Sequence, residues 1–322
     1  MNSFLLEKIL ALGILRIWFK LQKVRVGLQR ILPRNPLSKG SKLPQLIVII
    51  PCHSKDFWKL PLAVEALVHN SENPLLKVVV IHEASTKVPK DVRKINLVIE
   101  FVDQDEIVNV DIRHLIEDKV PKDRYGWTIQ QIATWEYILK SQGEHFLRLD
   151  ADTFLVQKRA FFDEKRHLLF PVTEYEERYD RALALVGKAN ISGLSFVSHH
   201  QPIFRTVLEK MVSNNRSTFY EEWLSQMKFM DRSASEYHTY GNYILKNFPH
   251  MIRLAYWGNV RFSEATLHKL LDAFSSTETL KKLKELGDDI FSVSAHHYVV
   301  FDDVDDFTIG KFPENKNVFK ML

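Results

Sequence analysis

The sequence predicts an α/β fold built around an open sheet, and three observations carry that reading. Apolar, β-branched runs recur at 46–50, 77–81 and 96–102; a helical apolar pattern over 60–69 joins the first two; and each run ends in polar residues. Buried parallel strands read as continuous apolar runs, and open α/β sheets present ligand-binding groups at the C-terminal ends of their strands. With 322 residues and 45% hydrophobic content, the chain can bury a substantial core.

The strand ends are the first candidates for function. The first run closes in Pro51-Cys52-His53-Ser54-Lys55-Asp56, the second in His82-Glu83-Ala84-Ser85-Thr86 and the third in Asp103-Gln104-Asp105. Cys52 is the single cysteine, so an intrachain disulfide and thiolate-built zinc sites are excluded and a reducing, cytoplasmic setting is expected. No Gly-x-Gly-x-x-Gly and no Gly-Lys-Ser/Thr loop occurs, which removes the main support for dinucleotide oxidoreductases and P-loop NTPases. A bound diphosphate would have to be neutralised by a metal ion.

The net charge of +4 hides a division. Residues 1–42 carry nine lysines and arginines against Glu7, a balance of +8 that leaves −4 for the rest. An acidic body argues against nucleic acid as a partner. Residues 1–32 read as a helix with Lys8, Arg16, Lys20, Lys23 and Arg30 in a sector of about 120° and leucine, isoleucine, valine and Trp18 elsewhere. Only 9–15 separate Lys8 from Arg16, short of the roughly 20 residues needed to span a bilayer. Two occupants of its apolar face are open: an anionic membrane surface, peripheral on the inner face, or protein, either the body or a second copy in a homo-oligomer. A linker rich in proline and serine follows, so the expected organisation is an arm at 1–42 and a single domain at 43–322, with halves 43–152 and 153–322.

Further along, Gly126-Trp127 opens a helix expected over 128–140, with Gln130 and Gln131 early in it. One of the two glutamines is expected to face a ligand and the other the core. A short strand starting at His145 then ends in Asp150-Ala151-Asp152. Residues i and i+2 of an extended chain share a face, so both carboxylates can converge while Ala151 leaves room for a ligand. Oxygen ligation by one or two carboxylates plus phosphate is how Mg²⁺ or Mn²⁺ is usually held. Arg148 is expected to point away from this face, and Lys55 and Asp56 are further candidates. A strand is expected over 167–172, and Pro202 is expected as the first residue of a helix over 203–211. Ser235, or Ser233, should cap a helix that begins with Glu236. A long surface helix is expected over 265–286, and the last strand over 291–298.

The order of these features resembles the GT-A class of nucleotide-sugar glycosyltransferases. More narrowly, Gly126-Trp127-x-x-Gln130-Gln131, Asp150-Ala151-Asp152 and Ser235-Glu236-Tyr237-x-x-Tyr240-Gly241 are similar to a glycosyltransferase-related family known mainly as a domain of unknown function. The likeness covers roughly 45–300. It implies a Rossmann-like domain with a mixed central sheet, Mn²⁺ or Mg²⁺ held by Asp150, Asp152 and a late histidine, and Glu236 as catalytic base. His296 and His297 alternate on a strand, so only one can face the metal, and His297 is preferred. The same likeness implies nucleotide contacts from Pro51, Glu83, Trp127, Gln130, Gln131 and Asp150, and acceptor contacts from His199, His200 and Tyr237. A UDP- or GDP-sugar would be the donor, and a glycan, lipid-linked or small-molecule hydroxyl the acceptor. The chain departs from the wider class in having Glu83-Ala84-Ser85 where many relatives carry Asp-Asp-Gly-Ser, which leaves the base open.

Three other readings compete. A phosphotransferase of the haloacid-dehalogenase type also places Asp-x-Asp after a strand, but on its first strand and with Thr or Val two residues past the second aspartate, where this chain has Phe154. Asp302-Asp303-Val304-Asp305-Asp306 has prenyl-diphosphate spacing but lacks the long helices of that fold. A catalytically silent nucleotide-sugar-binding or membrane-attached scaffold protein is the remaining alternative.

Overall fold

The computed structural model describes residues 42–83, 96–165, 167–169, 195–212, 215–225, 234–288 and 290–296. The arm, His297, the 302–306 acidic run and the end of the expected strand at 167–172 lie outside them. The strands, in chain order, are β1 (Leu46–Pro51), β2 (Leu75–His82), β3 (Ile99–Asp103), β4 (His145–Leu149), β5 (Thr153–Leu155), β6 (His167–Leu169), β7 (His200–Phe204), β8 (Ile252–Leu254), β9 (Gly258–Ser263) and β10 (Ile290–His296). The helices are α1 (Leu60–Asn70), α2 (Gln104–Ile107), α3 (Val110–Lys119), α4 (Tyr125–Lys140), α5 (Arg205–Val212), α6 (Arg216–Ser225), α7 (Glu236–Asn247), α8 (Glu264–Ala273) and α9 (Ser276–Lys284).

The fold is α/β with a mixed central sheet. Its order is β3-β2-β1-β4-β7, with β1, β2, β3 and β4 parallel and β7 antiparallel to β4. Every residue of β1 is buried, as expected for a parallel strand covered on both faces. Helix α4 runs back along the sheet: Tyr137, near its end, reaches Lys77 and Glu100 at the starts of β2 and β3. Its first turn therefore lies at the strands' C-terminal side. Strand order reverses between β1 and β4, and a crevice outside the strand ends forms at such a switch point. Asp150 follows the last residue of β4 at that place.

A second sheet, β5-β10-β9, pairs β10 antiparallel to β5 and parallel to β9. Two buried cores correspond to the two sheets: one around β1, β2, β4 and α4, the other around Phe154, Val156, Phe262, Leu267 and Val293. A hydrogen-bonded polar chain threads the smaller sheet. Trp257 donates to Ser292, Ser292 and Ser294 donate to Asn259, and Ser294 meets Thr153.

Two expectations are corrected here. Residues 200–204 form a strand, so Pro202 lies opposite Leu147 in the ladder and helix α5 begins only at Arg205. A proline is tolerated there because, among the described residues, β7 is the outer strand of the sheet, where a missing N–H costs least. The long helix expected over 265–286 is two helices, α8 and α9, separated at Phe274–Ser275. Ser275 and Glu278 form a reciprocal capping box that starts the second one.

His167, in β6, stacks on Phe204 at 4.9 Å and is fully buried, and neither ring nitrogen has a hydrogen-bond partner among the described residues. Burial is the main cause that drops its pKa to about 3, and the same cause takes His200 to about 3. Below the ordinary histidine value the unfolded chain takes up these protons and the folded chain does not, so stability falls as pH drops from about 6.5 toward 3. His167→Leu should leave stability at neutral pH unchanged or slightly higher. By pH 4.5 the variant should retain roughly 2 kcal/mol more than the wild type. Urea unfolding at several pH values measures this, and parallel acid limbs for the two proteins would refute it.

Candidate active site

Between β4 and β5 the chain leaves one sheet and enters the other, and Asp150-Ala151-Asp152 is the turn, closed by the Thr153 N–H donating to the Asp150 carbonyl at 3.1 Å. Each side of this turn has an antiparallel neighbour. In the β4–β7 ladder Leu149 pairs with His200, so His199 lies opposite Asp150, and the Asp150 N–H donates to the His199 carbonyl at 2.9 Å. In the β5–β10 ladder Thr153 pairs with Ser294, and the Ala295 N–H donates to the Asp152 carbonyl at 2.9 Å, which brings His296 to the turn.

The side chains follow these registers. His199 Nδ1 is 3.2 Å from Asp150 Oδ2, His296 Nδ1 is 2.9 Å from Asp152 Oδ2, and the two imidazole centroids are 4.9 Å apart. The aspartates thus come together through a turn and two histidines, not along one face of a continuous strand. Ala151 is buried in the core.

Asp150 is the most heavily engaged group. The Tyr237 hydroxyl donates to its Oδ1 at 2.6 Å, and Arg148 Nη2 lies 3.5 Å from the same oxygen. Burial opposes ionisation of Asp150, but the charge of Arg148 and the hydrogen bonds from His199 and Tyr237 outweigh it and hold its pKa at about 2. Burial first, then Asp150, pushes the Tyr237 phenol well above its usual value. For His199, burial lowers the pKa, and Asp150 and Asp152 more than reverse this to leave it raised.

Arg148 faces Asp150, against the expectation that it would point away. The two are i and i+2, which share a face in an extended chain. Its guanidinium lies 4.2 Å from the Tyr237 ring centre and pairs with Glu236. Glu236 is only 2% exposed, so this carboxylate is turned into the protein. Ser235 caps α7 by accepting from the His238 N–H at 3.4 Å. Gln131 completes the helix start: its Oε1 accepts from the Glu236 N–H at 3.0 Å and its Nε2 donates to the Trp127 carbonyl at 3.4 Å. Of the two glutamines, Gln131 is therefore the core-facing one, and Gln130 is half-buried. Gly241, later in α7, has Phe196 ring atoms 2.5 Å from where a Cβ would stand, and this close approach sets the segment that leads to His199.

The remaining sequence candidates separate. Pro51 and Glu83 lie at the ends of β1 and β2, and Glu83 Oε1 is 3.4 Å from His53. Trp127 is half-buried, with Arg124 5.8 Å from its ring centre. His200 points into the core, 3.9 Å from the Trp257 ring. Lys55 is exposed, while Asp56 accepts from Lys59 at 2.7 Å. Two site residues went unread. Lys59, 1% exposed, donates to Asp56, to Glu264 and to the Ala295 carbonyl beside His296. Burial lowers its pKa, but the two carboxylates raise it to a net value above the usual one. Arg261 Nη2, from β9, lies 3.1 Å from His199 Nε2. An unread strand carries Arg261, and a helix start hides Lys59, so neither stands in a recognisable motif.

The donor set of carboxylate oxygens and imidazole nitrogens suits Mg²⁺ or Mn²⁺. Neighbouring ligands of an octahedral ion at 2.0–2.1 Å stand about 2.9 Å apart, and the His296–Asp152 pair has that spacing. Asp150 fits less well, because both of its oxygens already accept hydrogen bonds. Among the described residues, no three His, Cys, Asp or Glu side chains are arranged to hold a metal ion. A cation here would thus have Asp152 and His296 as protein ligands and take the rest of its shell from water and substrate.

No protein-family model matches the chain, and no curated protein matches it. Among solved structures, the chain is similar to the galactosyltransferase LgtC in complex with donor and acceptor sugar analogues. That likeness has 14% identity and a TM-score of 0.43, covering 77% of this chain and 86% of that one. It is likewise similar to an active-site mutant of LgtC, at 15% identity and a TM-score of 0.43, covering 83% of this chain and 98% of that one.

The Arg148–Glu236 pair yields a direct test. Arg148→Met should cost about 3–5 kcal/mol, because Glu236 stays buried without its cation, whereas adding Glu236→Leu should restore most of the loss. Equilibrium urea unfolding of the single and double variants decides it, and additive losses would show that the two charges are not coupled.

Proposed function

We propose that this chain is a metal-dependent glycosyltransferase of the GT-A type, which moves a sugar from a UDP- or GDP-sugar to a hydroxyl acceptor. The observation that carries the reading is the double register at 150–152. Two carboxylates, each faced by an imidazole at 3.2 or 2.9 Å, stand at the switch point of a largely parallel sheet. In this reading Asp152 and His296 hold Mn²⁺ or Mg²⁺, and Asp150 orders the groups around them. When bound, the cation would act as a Lewis acid toward the charge that develops on the departing diphosphate. The chain's own residues orient the donor. Pro51, Glu83, Trp127 and Gln130 are the proposed nucleoside contacts, and Tyr237 and His199 border the acceptor side.

Glu236 takes a different part from the general base expected for it. Held by Arg148 and almost wholly buried, it fixes the guanidinium beside Tyr237 and Asp150. The same observation favours a second reading, a nucleotide-sugar-binding protein without turnover. The arm at 1–32 is proposed to lie on anionic lipid. Among the described residues, no helix is long and apolar enough to cross a membrane.

Calorimetric titration with UDP- and GDP-sugars, with and without Mn²⁺, tests the main reading. Nucleotide-sugar binding should require the metal, and Asp152→Asn should weaken it at least about tenfold. Binding without any hydrolysis or transfer would establish the second reading, and no nucleotide binding at all would sink both. For the arm, the full chain should float with anionic liposomes and a chain starting at Leu43 should not; equal flotation would end that proposal.

A further inference from the structure

One face of the small sheet is apolar and packs the second core through Val293, Ala295 and Phe262, while the other face is polar. The parallel β9–β10 ladder sets Asn259 beside Ser292, Arg261 beside Ser294 and Ser263 beside His296, and β5 adds Thr153 beside Ser294. Residues side by side in a ladder share a face, as do i and i+2. These side chains therefore form three polar rows on the side of the sheet that brings His296 to Asp152. At about 3.3 Å per residue, the Asn259 row lies roughly 13 Å from the His296 row.

A chain of hydroxyls fixes Asn259. The Trp257 indole N–H can only donate, and it donates to Ser292 Oγ at 2.8 Å. Ser292 is fully buried, and its own hydroxyl donates to Asn259 Oδ1 at 2.7 Å. Ser294 donates to the same oxygen at 3.2 Å, so in its 2.9 Å contact with Thr153 it is Thr153 that donates. An atom that accepts from two hydroxyls is the amide oxygen, and Nδ2 must point the other way. Among the described residues Nδ2 has no partner, and Asn259 is half-buried. Its two N–H donors are thus held in one orientation and open to a ligand. An amide fixed in advance by buried hydrogen bonds loses little rotamer freedom when a ligand arrives. The groups of this row are neutral, which suits a hydroxyl or ring oxygen better than a phosphate.

We infer that Asn259 is an acceptor-specificity residue, an assignment that rests on the glycosyltransferase reading. Its amide N–H groups donate to a hydroxyl or ring oxygen of a neutral saccharide acceptor, on a sugar unit beyond the one that reacts beside the Asp152–His296 pair. A separation of roughly 13 Å exceeds one sugar ring, so the polar face selects acceptors longer than a single sugar.

Transfer assays on the full chain with Mn²⁺ and UDP- or GDP-sugars test it, using methyl glycosides of hexoses and N-acetylhexosamines as single sugars, disaccharides and trisaccharides. The wild type should show a lower KM for the longer acceptors. Asn259→Asp keeps an oxygen for both serines and removes the N–H donors. It should raise the KM of the longer acceptors roughly 10-fold and leave the single-sugar KM and calorimetric UDP binding unchanged. Far-UV circular dichroism melts identify a variant that fails to fold, and Asn259→Ala, expected to show the same split, then carries the comparison. A loss shared by single sugars, longer acceptors and UDP would reduce Asn259 to a structural role and overturn the assignment. Wild-type KM values in the folded Asn259→Asp protein, or a wild type that transfers to none of the longer acceptors, would overturn it too, while metal-dependent binding of a UDP- or GDP-sugar would leave the glycosyltransferase reading standing. A wild-type chain that binds neither UDP nor any UDP- or GDP-sugar would overturn that reading, and this assignment with it.

Discussion

The site depends on one constraint, the passage of the chain from the large sheet into the small one within three residues. Antiparallel pairing on both sides of that passage fixes its register twice, once against β7 and once against β10. A slip of one residue in either ladder would carry a histidine to the opposite face. The two imidazoles come from places 49 and 144 residues away from their aspartates, yet backbone hydrogen bonds alone bring both to the turn.

Charge then stiffens what the ladders place. Asp150 stays ionised although burial works against it, because Arg148, His199 and Tyr237 surround its carboxylate. Arg148 is itself buried and balanced by Glu236, so β4 and the start of α7 are tied by a pair whose desolvation is compensated only while both members remain. Lys59 plays a similar part across the crevice, joining the starts of α1 and α8 to the backbone of β10. Gln131 links α4 to α7 without charge. The three motifs that stand apart in the sequence, around 126–131, 150–152 and 235–241, are therefore one connected body.

Much of the architecture was legible before any coordinates. The apolar runs at 46–50 and 77–81 became β1 and β2 because central parallel strands are buried on both faces, and that leaves an unambiguous pattern. Ser235 was readable as a cap because capping is local. Where the reading failed, a non-local effect had won. Residues 200–204 look like the approach to a helix with Pro202 at its start, but an open edge beside β4 recruits them as a strand. The long apolar periodicity after 264 conceals the break at Ser275, which its own capping box explains afterwards.

The sequence by itself determined the class of the fold, the lack of a glycine-rich phosphate loop and of a second cysteine, and the candidacy of Asp150 and Asp152, since all of these rest on composition and short spacing. Tertiary structure alone decided which groups answer those carboxylates. Strand alternation can say that His296 and His297 face opposite ways, but only the β5–β10 register brings His296 to Asp152. Spacing can put Glu236 at a helix start, but only packing pairs it with Arg148 and buries it. Arg261 belongs to no motif at all, because the β9–β10 register places it and it meets His199 only in the folded chain, which leaves no local trace in the order of residues.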